Sequence, residues 1–138
     1  MKTTLFKVFT GVAGAYHVLL GISGLLLPQD MFAKVAAIIL GVQAEMDLSL
    51  QMAAKFASVY VLVFGIVLLI LMQNPQRYRI LAIPVLTLFG VRLINKVVFF
   101  GSITESFNIS TGSGIFAVSS LAVLFFGILL TLPKKAES

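Results

Sequence analysis

The sequence predicts an all-α integral membrane protein, a four-helix bundle with a short interfacial helix between its first and second spans. Mean hydropathy is +1.09, and 11% of the residues are charged, whereas ordinary globular chains carry about 25% charged residues. Four apolar stretches are each close to the roughly 20 residues that a helix needs to cross the hydrocarbon. Basic residues lie between these stretches rather than on a soluble face, so the net charge of +5 does not indicate nucleic acid.

The predicted spans are the long apolar runs of a single transmembrane domain, at residues 5–27, 52–72, 80–100 and 115–132. Lys7 and His17 interrupt the first run, and Lys55 lies near the start of the second. The third run carries Arg92 and Lys96, and the fourth has no charge. Each run predicts one membrane-crossing helix.

The connection between the first two spans contains a further apolar segment. Pro28 ends the first helix, and Asp30 is placed to cap the next one. Residues 31–42 are apolar but too short to cross, which predicts a helix at the membrane surface or packed on the bundle. Asp47 or Ser49 is placed to cap the second span.

The other two connections are simpler. Residues 73–79 form a tight polar turn centred on Asn74-Pro75, and residues 101–114 are rich in Ser, Thr and Gly, which indicates a looser loop. The turn at residues 73–79 is too short to hold a soluble active site.

Charge differs between the two sides of the predicted bundle. Basic residues occupy the amino end, the second connection and the carboxyl end: Lys2, Lys7, Arg77, Arg79, Lys134 and Lys135. The first and third connections hold the acidic residues Asp30, Glu45, Asp47 and Glu105. The positive-inside rule then places both ends of the chain in the cytoplasm. We predict the inner membrane of a bacterium as the location.

Ionisable groups inside a membrane are costly, so each one is a candidate functional residue. At 1.5 Å per residue, His17 and Arg92 lie at a similar depth, roughly 18 Å from the cytoplasmic ends of their spans. Arg92, Asn95 and Lys96 share one side of the third span because their spacing is i, i+3, i+4. We predict an outward-opening polar pocket whose ligand-binding residues are His17, Lys55, Tyr60, Arg92, Asn95, Lys96 and Ser119.

Small residues recur every three or four positions on the first span, at Gly11, Gly14, Gly21 and Gly24. Such a stripe permits close approach of helices in lipid. His17 lies on the same stripe, which predicts that its side chain faces the bundle interior.

Simpler explanations compete with a ligand site. Lys55 and Lys96 can extend their amines to the outer headgroups. His17 can be an interior histidine whose hydrogen bonds are satisfied within the protein. Arg92 has a structural role if it forms an ion pair with one of the loop acids, Glu45, Asp47 or Glu105, or if it donates hydrogen bonds to helix-end carbonyls.

Composition limits the chemistry that the chain can perform. It has no Cys and one His, which excludes a disulfide, a cysteine-ligated zinc or iron–sulfur site, and any site with two His ligands from one chain. No Asp or Glu lies in a predicted span, so we expect no carboxylate pair there. We therefore predict no catalytic residue and no metal site. A haem or pigment stays open as a ligand of His17, because Ala13 precedes it by four residues and leaves room for a macrocycle.

Residues of the second and third spans carry a family resemblance. Lys55, Tyr60 and Gly65 in the second span, Gly90-Val91-Arg92 in the third, and the overall helix spacing make the chain resemble the DoxX-like group of small membrane proteins. The group often has Arg where Lys55 stands, and many members have an acidic residue in the fourth span that is absent here. The resemblance covers most of the chain and implies a four-helix bundle. One archaeal member type belongs to a thiosulfate:quinone oxidoreductase and some animal relatives look like assembly factors, so the resemblance implies fold more than function.

Three functions are compatible with these observations. The first is a non-catalytic small subunit or assembly factor of a larger membrane complex, which predicts a membrane-protein partner or a homo-oligomer within the bilayer. The second is a redox-linked module that binds a quinone, lipid or anion in the outer pocket. The third is a single-histidine pigment or haem-binding subunit. The sequence itself requires no cofactor, although a quinone or lipid is compatible with it.

Overall fold

The structure, a computed structural model, describes residues 1–42 and 47–133. Its helical elements are α1 (Lys2–Leu26), α2 (Gln29–Leu40), α3 (Leu48–Gln73), a 3-10 turn (Arg79–Leu81), α4 (Ala82–Val98), α5 (Phe100–Ser106) and α6 (Thr111–Thr131). Four segments are long and apolar enough to cross a membrane: α1, α3, the 3-10 turn joined to α4, and α6. This confirms the predicted all-α integral membrane bundle with four spans. The predicted loop residue Glu45 and the predicted terminal lysines Lys134 and Lys135 lie outside the described residues.

Helices α1 and α3 pack antiparallel, and they share more contacts than any other pair of described helices. A Cβ atom added to Gly21 would lie 2.6 Å from the backbone nitrogen of Leu62. One added to Gly65 would lie 2.6 Å from the backbone nitrogen of Val18. Because no side chain fits at such distances, the glycines bring the two backbones into direct contact. The predicted glycine stripe of the first span is thereby confirmed as a packing surface.

Helix α4 packs on α6 and makes few backbone contacts with α3. A Cβ on Gly90 would lie 3.4 Å from the ring of Phe125 of α6, an ordinary contact distance. Between α3 and α4 the space is filled by the rings of Phe64 and Phe89, whose centroids lie 5.4 Å apart. The buried apolar core comprises Phe6, Ala13, Leu68, Leu71, Ala82, Val85, Phe89 and Ile128.

Helix α2 confirms a short helix between the first two spans, but at Gln29–Leu40 rather than at 31–42. Pro28 is its N-cap, and Asp30 lies inside the first turn. The prediction that Asp30 is the cap was therefore wrong, although a carboxylate in the first turn still favours the positive end of the helix dipole. The helix ends at Gly41, whose φ of 69° is a left-handed conformation that glycine adopts without strain.

The structure differs from the prediction at the end of the third span and at the start of the fourth span. Helix α4 ends at Val98 instead of reaching position 100, and α5 follows after one residue. Helix α6 begins at Thr111, four residues before the predicted start. Most of the segment 101–114 is therefore helical, and the prediction of a looser loop was wrong.

Helix α5 ends in a hydrogen-bonded cap. The N–H of Ile109 donates to the carbonyl oxygen of Thr104 at 2.8 Å, and the N–H of Asn108 donates to that of Glu105 at 3.2 Å. This pair of bonds is the Schellman arrangement, which needs a left-handed residue after the helix. Asn108 supplies it with a φ of 48°, a conformation that asparagine tolerates better than most residues.

The bundle has two ends, which we name by what they hold. The terminal end holds the start of α1, the α3–α4 turn and the end of α6, and the loop end holds α2 and α5.

At the terminal end, Nε–H of Arg79 donates to the carbonyl oxygen of Pro133 at 3.0 Å, which joins the 3-10 turn to the end of α6. The side-chain oxygen of Asn74 accepts from the N–H of Arg77 at 3.1 Å and shapes the predicted turn. At the loop end, Asp47 caps α3 as predicted, because its carboxylate accepts a backbone N–H at 2.7 Å.

Candidate functional site

His17 of α1 and Arg92 of α4 meet inside the bundle. Nη1 of Arg92 lies 3.1 Å from Nε2 of His17, and Nδ1 of His17 lies 2.7 Å from the carbonyl oxygen of Ala13. A carbonyl only accepts hydrogen bonds, so Nδ1 carries the hydrogen and donates it. A guanidinium only donates, so Nε2 is the unprotonated nitrogen and accepts from Arg92. This set of partners assigns a neutral imidazole with its hydrogen on Nδ1.

Aromatic rings enclose the imidazole of His17. The ring centroids of Tyr16, Phe64 and Phe89 lie 5.3, 5.1 and 5.9 Å from it, each in an edge-to-face arrangement. His17 is 4% exposed. Both of its nitrogens have partners and its ring is surrounded, so His17 is an interior histidine that is hydrogen-bonded to Arg92.

Arg92 is half-buried and uses one of its five N–H donors on His17. No buried polar side-chain atom lacks a hydrogen-bond partner among the described residues, so the unused nitrogens of Arg92 reach the protein surface. The described part of the chain contains no ion pair between Arg92 and Asp47 or Glu105, and the third predicted partner, Glu45, lies outside it. Helices α1, α3, α4 and α6 contain no Asp or Glu. The positive charge of Arg92 is thus held by a neutral acceptor and keeps free donors.

Lys96 follows Arg92 by one helical turn on the same face of α4. It lines a small cavity of about 20 Å³ between α4, α5 and α6, room for about one water-sized group. The rest of the lining is mainly apolar: Phe100, Ile103, Thr104, Ile109, Gly114, Ala117 and Val118. Two cations therefore lie one turn apart on α4, the second beside an apolar recess near the loop end.

The other residues of the predicted pocket do not join this group. Lys55, Tyr60, Asn95 and Ser119 are all exposed, and Tyr60 is 76% exposed on α3. The structure brings His17 and Arg92 into contact, places Lys96 one turn away, and leaves the remaining four side chains pointing away from the bundle interior. The predicted single pocket is thus divided between an internal pair and separate outward positions.

Two residues that enclose His17 escaped the sequence reasoning. Phe89 precedes Arg92 by three positions and so shares its face of α4, a spacing that could have identified it. Phe64 lies on α3, where no periodic pattern separates one face from another, and no sequence signal distinguishes it from its apolar neighbours.

No protein-family model, curated protein or solved structure matches the chain. The resemblance to the DoxX-like group stays a prediction that rests on the residues quoted above. The structure itself shows an integral membrane protein with four apolar spans and a hydrogen-bonded histidine–arginine pair in its interior.

Proposed function

We propose that this protein is a non-catalytic membrane module that binds the polar headgroup of an amphipathic molecule at Arg92. The observation that supports the proposal is the half-buried guanidinium of Arg92, which has one hydrogen-bond partner among the described residues, the neutral His17, and unused donors at the surface. A charged group in a membrane is stable only when it is paired or reaches water. Because the described acids do not pair with Arg92, an anion or carbonyl from another molecule is the natural partner.

His17 suits this function because it positions Arg92 without neutralising it. A carboxylate in its place would hold the guanidinium more strongly but would cancel the positive charge. The neutral Nε2 instead fixes one side of the guanidinium and leaves the full charge for a ligand. Phosphate, carboxylate and quinone carbonyl oxygens all accept the hydrogen bonds that remain.

The same geometry gives less support to haem or a pigment on His17. An axial ligand needs a free ring nitrogen, but Nδ1 donates to Ala13 and Nε2 accepts from Arg92. Binding a metal through Nε2 would leave the guanidinium of Arg92 without its acceptor and would bring two positive centres together.

The variant Arg92→Gln tests the proposal on the full chain. Protein extracted gently from its own membranes is analysed by native mass spectrometry for retained small molecules. We expect the unchanged protein to retain a defined mass and the Arg92→Gln variant to retain roughly tenfold less, as loss of a hydrogen bond to a charged group implies. The matched control is Lys55→Gln, which removes the same charge from an exposed position of α3. Equal retention by both variants would show that Arg92 is not the binding group.

Tyr60 supports a second function, that of a subunit or assembly factor of a larger membrane complex. It lies eight positions after the predicted start of its span at position 52. At 1.5 Å per residue this is a depth of about 12 Å in a hydrocarbon core of about 30 Å. Tyrosine usually lies at the membrane interfaces instead. Its side chain is 76% exposed, and its hydroxyl has no hydrogen-bond partner among the described residues, an unfavourable state in hydrocarbon. A partner helix or a second copy of the chain would supply one.

The variant Tyr60→Phe separates the two functions because it removes only the hydroxyl. If α3 contacts a partner, the variant loses co-purifying subunits or changes oligomeric state while it keeps any ligand that depends on Arg92. An unchanged assembly, measured by native mass spectrometry, would contradict a role of Tyr60 in partner binding.

A further inference from the structure

We infer that Arg92 and Lys96 together form a binding site for a phosphate monoester, presented by a membrane lipid. This inference rests on the proposed function and names the class of its ligand. The juxtaposition that supports it is a pair of half-buried cations one turn apart on α4, of which the second lines an apolar recess at the loop end.

The spanning helices carry an excess of positive charge. The two cations lie one helical turn apart on the same face of α4. The spanning helices provide no carboxylate to oppose them, and His17 is a neutral acceptor in this arrangement. Two adjacent positive charges repel each other, and an anion between them offsets the repulsion and part of the cost of burial.

The number of charges favours a monoester. A phosphate monoester carries about −1.5 to −2 at neutral pH and has three strong acceptor oxygens, which matches two cations. A phosphodiester, with a single negative charge, would leave one of the cations unbalanced. A quinone carbonyl has no charge to offer. Arginine binds phosphate through its planar fork and lysine as a point charge, so both side chains suit the same group.

The recess favours a lipid over free phosphate. Its wall includes Phe100, Ile103 and Val118, which offer no polar group to a phosphate ion but suit the methylene groups next to a headgroup. The Thr104 hydroxyl at its edge already donates to the carbonyl oxygen of Phe100 at 2.9 Å. A Cβ on Gly114 would lie 3.0 Å from the ring of Phe100 and from Thr104, so this glycine lets α5 close over α6 and form the recess. At about 20 Å³, it accepts the first group of a chain while the phosphate lies outside it, against the two cations.

The test compares headgroups on the full chain reconstituted into phosphatidylcholine vesicles. Separate preparations contain a small fraction of phosphatidic acid, of phosphatidylglycerol or of a quinone, and native mass spectrometry counts the molecules that the protein retains. We expect retention of phosphatidic acid to exceed that of phosphatidylglycerol about tenfold or more, since one further charge-assisted contact is gained. Lys96→Gln should remove this preference while some binding persists, and Arg92→Gln should lower retention of both phospholipids roughly tenfold. Lys55→Gln should behave like the unchanged protein.

A second variant serves as a control for misfolding. Lys96→Arg keeps the positive charge and should keep the preference for phosphatidic acid, with helix content checked by circular dichroism for every variant. Loss of the preference in Lys96→Arg, while its helix content is intact, would contradict recognition by charge at this position.

The possible outcomes separate the inference from the proposed function. Equal retention of the two phospholipids, or retention of the quinone alone, in each case dependent on Arg92, would overturn the monoester and leave the proposed function standing. Calorimetric binding of inorganic phosphate to protein in pure phosphatidylcholine vesicles, at the affinity shown for phosphatidic acid, would overturn the lipid as its carrier. Retention of no headgroup by the unchanged protein would overturn both.

Discussion

The two sides of the bundle are held together in different ways. Between α1 and α3 the contact is backbone against backbone, because Gly21 and Gly65 have no side chain to separate the helices. Around α4 the contact is side chain against side chain, and the space holds aromatic rings together with His17 and Arg92. Close packing through small residues admits a small hydroxyl such as that of Ser58, which lies against Gly24, but no large polar side chain. The α1–α3 side therefore provides stability, while the more widely spaced α4 side is where a polar site and its ligand can exist.

The largest expected effect is a loss of stability when alanine replaces a glycine between α1 and α3. The same replacement beside α4 is the control. In Gly21→Ala the new Cβ would lie 2.6 Å from backbone, so the helices must separate, and we expect a loss of about 3 kcal/mol in the free energy of unfolding. In Gly90→Ala it would lie 3.4 Å from a ring, and alanine is the better helix former, so we expect a change within about 0.5 kcal/mol. Denaturant titration in detergent micelles, followed by circular dichroism, measures both. Similar losses in the two variants would mean that the two sides do not differ in packing.

The next effect concerns the polar pair on the α4 side. A double-mutant cycle with His17→Ala and Arg92→Leu should give a coupling energy of about 2 kcal/mol, the value expected for a buried hydrogen bond with a charged donor. His17→Ala alone should be the most harmful of the three variants, because it leaves the charge of Arg92 without an acceptor. Additive effects in the same unfolding assay would show that the bond contributes nothing to stability.

A smaller loss of stability is expected at the N-terminus of α3, outside its interface with α1. Asp47→Ala removes the carboxylate that caps α3 at 2.7 Å and should lower the free energy of unfolding by about 1 kcal/mol. Ser49 is the matched control, because it lies two residues along, is exposed and was the alternative cap in the sequence. Ser49→Ala should change stability by less than about 0.5 kcal/mol. A larger loss for Ser49 than for Asp47 would reverse the assignment of the cap.

The smallest expected effect is a gain in stability on the α4 side of the bundle. Apart from its chain neighbours and the nearby backbone of α6, no atom of the described residues lies within 4 Å of a Cβ built on Gly112 in the first turn of that helix. Gly112→Ala should therefore raise the free energy of unfolding by about 0.5 kcal/mol, through a less flexible unfolded chain. Gly114, two residues later, has close contacts with α5, and the same substitution there should be destabilising. The opposite order of stability for these two variants would contradict the packing of α5 on α6.

Much of this arrangement is visible in the sequence. The four spans follow from unbroken apolar runs, since a bilayer tolerates little else across its thickness. The stripe that includes Gly14, Gly21 and Gly24 identifies the packing face of α1, and these glycines are buried as that pattern predicts. The pairing of His17 with Arg92 follows in part from their equal depth, which spacing along a helix determines.

The direction in which other polar residues face could not be predicted. Helices α3 and α6 are apolar on all sides, so depth could be assigned to Tyr60 and Ser119 but rotation about the helix axis could not. Helix α5 was missed because Gly, Ser and Thr are weak helix formers, and its formation depends on tertiary contact with Gly114. Local composition carries no information about such a contact.

The fixed tautomer of His17 has a practical consequence. It is the single histidine of the chain, so labelling with nitrogen-15 histidine gives one imidazole spectrum free of overlap. In that spectrum Nδ1 should show a directly bonded hydrogen, and Nε2 should show none as long as it accepts from Arg92. A ligand that displaces the guanidinium would shift the Nε2 resonance more than that of Nδ1. The protein therefore contains its own spectroscopic reporter of site occupancy, readable in intact membranes without a chemical tag.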